Sequence, residues 1–332
     1  MEKVLEIKNL HVSFDTYGGT VKAVRGVGFD LHKGETIAIV GESGCGKSVT
    51  SQSIMRLIPK ATGRIADGSI LFKGNDLTKL KESEMRKIRG SEISMIFQDP
   101  MTALNPTITV GEQITEGIMQ HTKATKQQAK QKAVEMLELV GISSPKERLK
   151  QYPHQFSGGM RQRIVIAMSL VCEPEVIIAD EPTTALDVTI QAQILELFRD
   201  IQRKTNVSII LITHDLGVVA QVTDRVVVMY AGKVVEAGTR REIFYNPQHP
   251  YTKGLLNSVP RLDLQGGDLI PIPGSPPDLF SPPTGCAFAP RCPYAMEVCD
   301  RVHPNDTIIS EGHHTSCWLQ DERAKKLVST LA

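Results

Sequence analysis

The sequence predicts an α/β fold built on a parallel sheet, and three observations lead there. Thr36–Val40 (TIAIV) is a short, wholly apolar run of the kind expected for a strand buried on both faces, and it enters the glycine-rich turn Gly41–Ser48. Two later apolar runs, Val176–Ala179 (VIIA) and Val207–Ile212 (VSIILI), are separated by Ile190, Ile194, Leu197, Phe198 and Ile201 at helical spacing. Strand–helix–strand alternation of this kind sets parallel strands side by side with helices on their faces. The composition agrees, because 41% hydrophobic residues over 332 positions can fill packed cores, and that length corresponds to about two domains.

In chain order, Val4–Ile7 and Val21–Leu31 read as short strands around the turn Tyr17-Gly18-Gly19. A helix is expected after Ser48, through about Leu57. Ser69–Phe72 reads as a strand closed by the turn Lys73-Gly74-Asn75, and Ile93–Phe97 as another strand. From about Pro100 to Phe156 the texture becomes helical, with Ala133, Met136, Leu137 and Val140 on one face. The last core strand is Arg225–Met229. Beyond Ala237 the texture shifts again, and Ile270–Thr284 carries six prolines, so it should be extended. The division expected is a core of 1–100 and 158–238, a helical part at 101–157, and a C-terminal extension at 239–332.

Charge and patterning exclude several function classes. Lys+Arg number 38 against 37 Asp+Glu, for a net charge of +1, which argues against a nucleic-acid partner. The longest apolar candidate, Ile164–Ala179, is broken by Glu173-Pro174-Glu175, so no spanning helix is expected. The start, MEKVLEIKNL, has no basic segment followed by an apolar one, so secretion is not expected.

Gly41-Glu42-Ser43-Gly44-Cys45-Gly46-Lys47-Ser48 fits G-x-x-x-x-G-K-[ST]. Its glycines let the backbone wrap a phosphate with N–H groups pointing inward, and the following helix, which includes Val49, presents its positive end. Lys47 would reach the β- and γ-phosphates, and Ser48 would ligate Mg²⁺. The apolar strand at 176–179 ends in Asp180 and Glu181. Asp180 is placed to hold Mg²⁺ directly or through water, and Glu181 to polarise an attacking water as general base. Cys45 sits near a helix N-terminus, where a thiol pKa falls. The plainer reading is a small residue that fits the turn.

Between these elements, Phe156-Ser157-Gly158-Gly159-Met160-Arg161-Gln162 resembles the signature of ABC-type ATPases, usually L-S-G-G-Q, with Phe156 in place of Leu and Met160 in place of Gln. Ser157 can cap a helix beginning near Met160, and Gly158-Gly159 then offer N–H groups to a phosphate. Further features are similar to the same family. Gln98 resembles the Q-loop glutamine, Ala185-Leu186-Asp187 the D-loop, and His214 the switch histidine. Tyr17, 24 residues before Gly41, lies where an adenine-stacking aromatic is expected, with Phe14 as the rival.

The resemblance covers roughly residues 3–240. It implies a P-loop ABC-type nucleotide-binding domain with an antiparallel β subdomain, a helical subdomain and a cysteine-containing extension. It also implies ATP and Mg²⁺ as ligands, with Gln98 at the Mg²⁺–water end and His214 at the γ-phosphate. Two ATP molecules would be sandwiched head to tail, Ser157 of one subunit reaching the nucleotide of the other. FSGGMRQR, GESGCGKS and the tail pattern G-S-P-P-D-L…G-C-x-F-x-x-R-C together resemble the ATP-binding subunits of dipeptide and oligopeptide ABC importers, close to nickel-importer subunits. That implies a second ATPase subunit (the same chain or a paralogue), two integral-membrane permeases, and an extracytoplasmic solute-binding protein met indirectly. The place of work would be the cytoplasmic face of the membrane, peripherally bound. A soluble ABC protein of translation or DNA repair fits less well, because such proteins carry two cassettes or a long coiled coil.

Cys286, Cys292, Cys299 and Cys317 are spaced C-x5-C-x6-C-x17-C. Four thiolates can hold a [4Fe–4S] cluster or one Zn²⁺, and free thiols are the third reading. The resemblance favours the cluster. His313 and His314 read as solvated loop residues.

Overall fold

The computed structural model describes residues 2–99, 103–184, 186–258 and 271–324. Two sheets organise it. The first is a four-stranded antiparallel sheet in the order β2-β1-β4-β5, with β1 Lys3–Thr16, β2 Gly19–His32, β4 Gly63–Phe72 and β5 Asn75–Asp76. The opening strands are therefore much longer than the alternation suggests. Asn9 takes a positive φ of 47°, and the β1–β2 register shifts between Ile7 and Leu10. Such a bulge breaks the period-two pattern without ending the strand.

The second sheet has eight strands in the order β11-β12-β10-β9-β3-β8-β7-β6. Its centre consists of β3 Thr36–Val40, β6 Ile93–Ile96, β7 Val176–Asp180, β8 Ser208–Ile212 and β9 Arg225–Tyr230. The pairs β3–β8, β3–β9, β7–β8 and β6–β7 are all parallel. Every residue of β3, β7 and β8 is buried, which is why these segments read as unbroken apolar runs. One face packs against helices, with Ile114, Ala133, Leu137, Ile164, Leu197 and Ile201 in a common core. The other face shares a core with the antiparallel sheet through Ile37, Ile39, Val24, Leu31, Ile70 and Phe72.

Helix α1, Lys47–Ile54, stops short of the expected Leu57. Arg56 adopts a left-handed φ of 49° and Pro59 follows, so the chain cannot continue helically. Between β6 and β7 lie Val110–His121, Lys126–Leu139, Pro145–Arg148 and the helix Gly158–Leu170. Thr109 and Thr125 close capping boxes with Glu112 and Gln128 at the first two.

The C-terminal part joins the main sheet's edge. After β10 Lys233–Thr239, Pro250–Asn257 is helical, and two strands extend the sheet: β12 His313–Thr315 pairs antiparallel with β10, and β11 Thr307–Ser310 antiparallel with β12. Tyr230, Tyr251 and Phe288 knit this part to the core, with Tyr230 and Phe288 edge to face at 5.3 Å. Residues 271–284 contain neither helix nor strand, as the prolines require. Ile270 and Ala185 lie outside the described residues, as do 101–102 of the helical part and 325–332 of the tail. Among the described residues no helix is long and apolar enough to cross a membrane.

Candidate nucleotide site

The site lies where β3, β7, β8 and β6 end. β3 runs into Gly41, and the turn 41–46 delivers Lys47 and Ser48 to the first residues of α1. Glycine at position 46 is a steric requirement. Its φ is +100°, and a Cβ there would stand 2.6 Å from the carbonyl oxygen of Ala23. Gly41 is similarly closed in, since a Cβ would meet the Met229 carbonyl at 2.2 Å. Ser43 and Gly44 are exposed on the rim of the turn.

Lys47 is buried and folded into the turn, donating from Nζ to the carbonyls of Gly41 (2.8 Å) and Glu42 (3.0 Å). Its Nζ is 3.9 Å from Cys45 Sγ. Cys45 itself is buried, and burial raises its thiol pKa, outweighing the lowering by nearby Lys47. This corrects the expectation of a thiol lowered by the helix end and leaves the small turn residue as the reading.

Ser48 Oγ donates to Asp180 Oδ1 at 3.0 Å, bringing together the start of α1 and the end of β7. Burial raises the Asp180 carboxyl, while the Ser48 hydroxyl pulls it down. A buried carboxylate and a hydroxyl beside an ammonium make a hard-oxygen donor set suited to Mg²⁺ held against a phosphate.

Glu181 follows with a left-handed φ of 47°. A non-glycine residue held in that region marks a position the surroundings over-determine. Gln98 Nε2 donates to Glu181 Oε2 at 2.8 Å, Thr184 Oγ1 donates to the same oxygen at 3.0 Å, and His214 Nδ1 is 3.3 Å from Oε1. Four loops thus converge on one carboxylate and its neighbour. Thr184 is the member of this cluster that the sequence reading missed. It lies three residues after Glu181 in the P-T-T turn, and only the fold of that turn aims it back.

The remaining candidates lie outside this cluster. Tyr17 is fully exposed at the β1–β2 turn, whereas Phe14 packs into the core between the sheets. Tyr17 is therefore the aromatic free to stack. Phe280, from the proline-rich tract, packs close enough that a Cβ added at Gly18 or Gly19 would stand 3.7 Å from its ring. Ser157 accepts a hydrogen bond from Met160 N at 3.4 Å as N-cap of the helix Gly158–Leu170. The helix starts two residues earlier than expected, so Gly158 and Gly159 form its first turn. Phe156 is buried under Arg148, and Met160 packs partly into the helical core, so both replacements act as packing residues. Asp187 caps the helix Val188–Thr205 by accepting from Ile190 N at 2.9 Å. Among the described residues no hydrogen bond joins Ser157, Gly158, Gly159 or Asp187 to the turn 41–48, so one chain presents these two surfaces separately.

Two side chains from beyond residue 239 reach the turn and were not foreseen. Tyr251 Oη accepts from Glu42 N at 2.8 Å, and Arg291 pairs with the Glu42 carboxylate.

The four tail cysteines line one small apolar hollow with Phe288 and Trp318. The backbone draws two of them together, with Cys286 N donating to Cys299 O at 2.7 Å. Burial first, and then neighbouring cysteines, push up the thiols of Cys286, Cys292 (to about 11) and Cys317 (to about 12). Among the described residues no group of three or more His, Cys, Asp or Glu side chains is set to hold a metal ion. The sulfurs therefore share a hollow without forming a finished cage. His313 is not solvated as expected. It is buried with Nε2 2.9 Å from Glu236 Oε1, while His314 Nδ1 lies 3.0 Å from Asp306. The sheet edge that β12 joins at β10 encloses His313, which the sequence alone does not reveal.

Comparison with known proteins agrees with this geometry. Residues 24–184 match the "ABC transporter" family, and residues 235–299 match the "Oligopeptide/dipeptide transporter, C-terminal region" family. The chain is 71% identical to the dipeptide transport ATP-binding protein DppD of Bacillus subtilis (strain 168), over 99% of this chain and 98% of that one. It is 60% identical to the oligopeptide transport ATP-binding protein OppD of the same organism, over 98% and 91%. Among solved structures, a dimeric post-hydrolysis state of the ATP-binding cassette MJ0796, bound to ADP and Pi, superposes with a TM-score of 0.64 at 25% identity, covering 71% of this chain and 99% of that one.

Proposed function

The chain belongs to the ABC transporter family, among the dipeptide and oligopeptide transport ATP-binding proteins, and from that premise we propose that it is the ATP-hydrolysing subunit of a membrane importer of di- or oligopeptides. The observation that carries this reading is the convergence of Ser48 on Asp180, and of Gln98, Thr184 and His214 on Glu181.

In this reading the N–H groups of residues 41–48, with Lys47 and the first turn of α1 at Val49, grip the triphosphate. Ser48, Gln98 and Asp180 would hold Mg²⁺, which would supply charge neutralisation to the triphosphate. Glu181 accepts the proton of the attacking water, and His214 holds that carboxylate and the γ-phosphate in line. Tyr17 stacks on the adenine. Ser157, Gly158, Gly159 and Asp187 serve the nucleotide of a second ATPase subunit, so the catalytic unit is a pair of chains. The separation of these residues from the turn 41–48 within one chain supports that role. Hydrolysis releases the link across the pair, an order-and-release switch. The permeases carry the peptide, and the acidic and apolar residues of 99–156 dock them at the cytoplasmic face. An extracytoplasmic solute-binding protein delivers the cargo.

Co-reconstitution with the cognate permeases, the second ATPase subunit and the binding protein tests the reading. Uptake of labelled dipeptide that depends on ATP is expected. Nickel uptake without peptide uptake would select the other cargo, and failure to turn over ATP would reject the function.

Cys286, Cys292, Cys299 and Cys317 are the soft donor type that a [4Fe–4S] cluster, or Zn²⁺ as the alternative, would take, and either group would have to draw together sulfurs that do not form a metal cage as they stand. Four thiols lining one apolar hollow are the soft set either group takes, and thiolate binding would offset the burial that raises Cys286, Cys292 and Cys317. When bound, the group would cross-link the extension. Anaerobically purified protein should be brown and contain iron and acid-labile sulfide in matching amounts. Stoichiometric zinc without iron would exclude the cluster.

A further inference from the structure

The turn that binds phosphate is held from outside by the chain's own C-terminal part. Resting on the ATP-binding reading above, we propose that Arg291 is a positioning residue for nucleotide binding, neutralising Glu42 and fixing the turn 41–48 in its receptive shape.

The contact is specific. Arg291 Nη1 donates to Glu42 Oε2 at 2.6 Å and Nη2 to Oε1 at 2.9 Å, the bidentate fork that makes such pairs strong. The rest of the guanidinium is also committed. Nε donates to Pro273 O at 2.8 Å, Nη2 to Ile272 O at 3.3 Å, and Nη1 to Tyr230 Oη at 3.2 Å. Tyr230 and Phe288 lie within 6 Å of it, at 5.8 and 5.9 Å to the ring centroids. The Arg291 side chain is 4% exposed and that of Glu42 28%. Glu42 is thus tied to a buried cation whose remaining donors are bonded to Pro273, Ile272 and Tyr230.

Glu42 matters because of its place. It is the second residue of the phosphate turn, its carbonyl accepts from Lys47 Nζ, and its N–H is taken by Tyr251. A shift of Glu42 would carry the Lys47 contact with it. Its carboxylate also stands beside the seat of a polyanion. Neutralised by Arg291, it does little harm there, but left alone it would repel the triphosphate. Arg291 ends the short turn Ala289–Arg291, one residue before Cys292, so the anchor of the phosphate turn is part of the cysteine-bearing segment.

The test uses the full chain and MgATP. Arg291→Met should raise the MgATP Kd, and the KM for ATP, about tenfold or more while kcat changes less than about twofold, as expected for a lost buried pairing outside the chemical step. Adding Glu42→Gln to Arg291→Met removes the orphaned carboxylate and should return the Kd to within about threefold of the parent. A merely structural loss in the extension would not be rescued by changing Glu42. Should Arg291→Met not fold, Arg291→Lys keeps the charge but gives up the fork, and should raise the Kd about threefold. An unchanged Kd in Arg291→Met, or in Arg291→Lys where only that variant folds, would overturn the proposal. So would a weakened Arg291→Met that Glu42→Gln fails to rescue. An unmodified chain that does not bind MgATP would instead overturn the reading under Proposed function.

Discussion

Glu181→Gln should bind MgATP and hardly hydrolyse it, with turnover reduced by about 10²–10⁴-fold, the span that a positioned general base contributes. The substitution is nearly isosteric, so the left-handed backbone at φ 47° and the fold of β7 have no reason to change. What changes is the chemistry of the side chain. The carboxylate accepts from Gln98 and Thr184 on one oxygen and faces His214 on the other. An amide keeps one acceptor and presents an NH₂ in place of the second, so it cannot take a proton from water. With ATP held and not consumed, the closed pair should accumulate. Phosphate release measures the first effect, and size-exclusion chromatography with and without MgATP measures the second. Hydrolysis near the parental rate would remove Glu181 from the base role.

Lys47→Ala should weaken MgATP binding by about 10²–10⁴-fold. The estimate comes from losing about two hydrogen bonds to a charged group, each worth about 1.5–3 kcal/mol. Lys47 is buried, and its ammonium already sits among the inward-facing groups of the turn, on the carbonyls of Gly41 and Glu42. No other cation in the turn 41–48 can replace it. The KM for ATP and the calorimetric Kd should rise together, with the circular dichroism spectrum unchanged. Parental affinity in this variant would mean that the phosphates lie elsewhere.

The parts of this site legible in the sequence are those whose chemistry is local. Gly41–Ser48 announces itself because the turn, the lysine and the helix start are contiguous, and Asp180-Glu181 because an apolar strand ends in two acids. Gln98 and His214 are legible only through the order of motifs, since neither residue carries a signal of its own. Arg291 and Tyr251 are not legible. They lie 249 and 209 positions from Glu42, and only the packing of Tyr230, Tyr251 and Phe288 brings them there. At Cys45 burial outweighs the local rule of a thiol near a helix end, in keeping with the plainer reading of a small residue that fits the turn. His313 likewise could not be read as buried until the edge strand that encloses it was seen. In the fold, the wholly apolar strands of the parallel sheet were readable because both faces are covered. The long hairpin β1–β2 shows in the sequence only in pieces, because the bulge at Asn9 interrupts its alternation.

The central claim is that residues 41–48 seat the triphosphate of a nucleotide. Calorimetric titration of the folded, unmodified chain with MgATP tests it most directly. The account predicts saturable binding of one nucleotide per chain, abolished or greatly weakened in Lys47→Ala. A flat trace from the unmodified chain, or an identical trace from both, would contradict it.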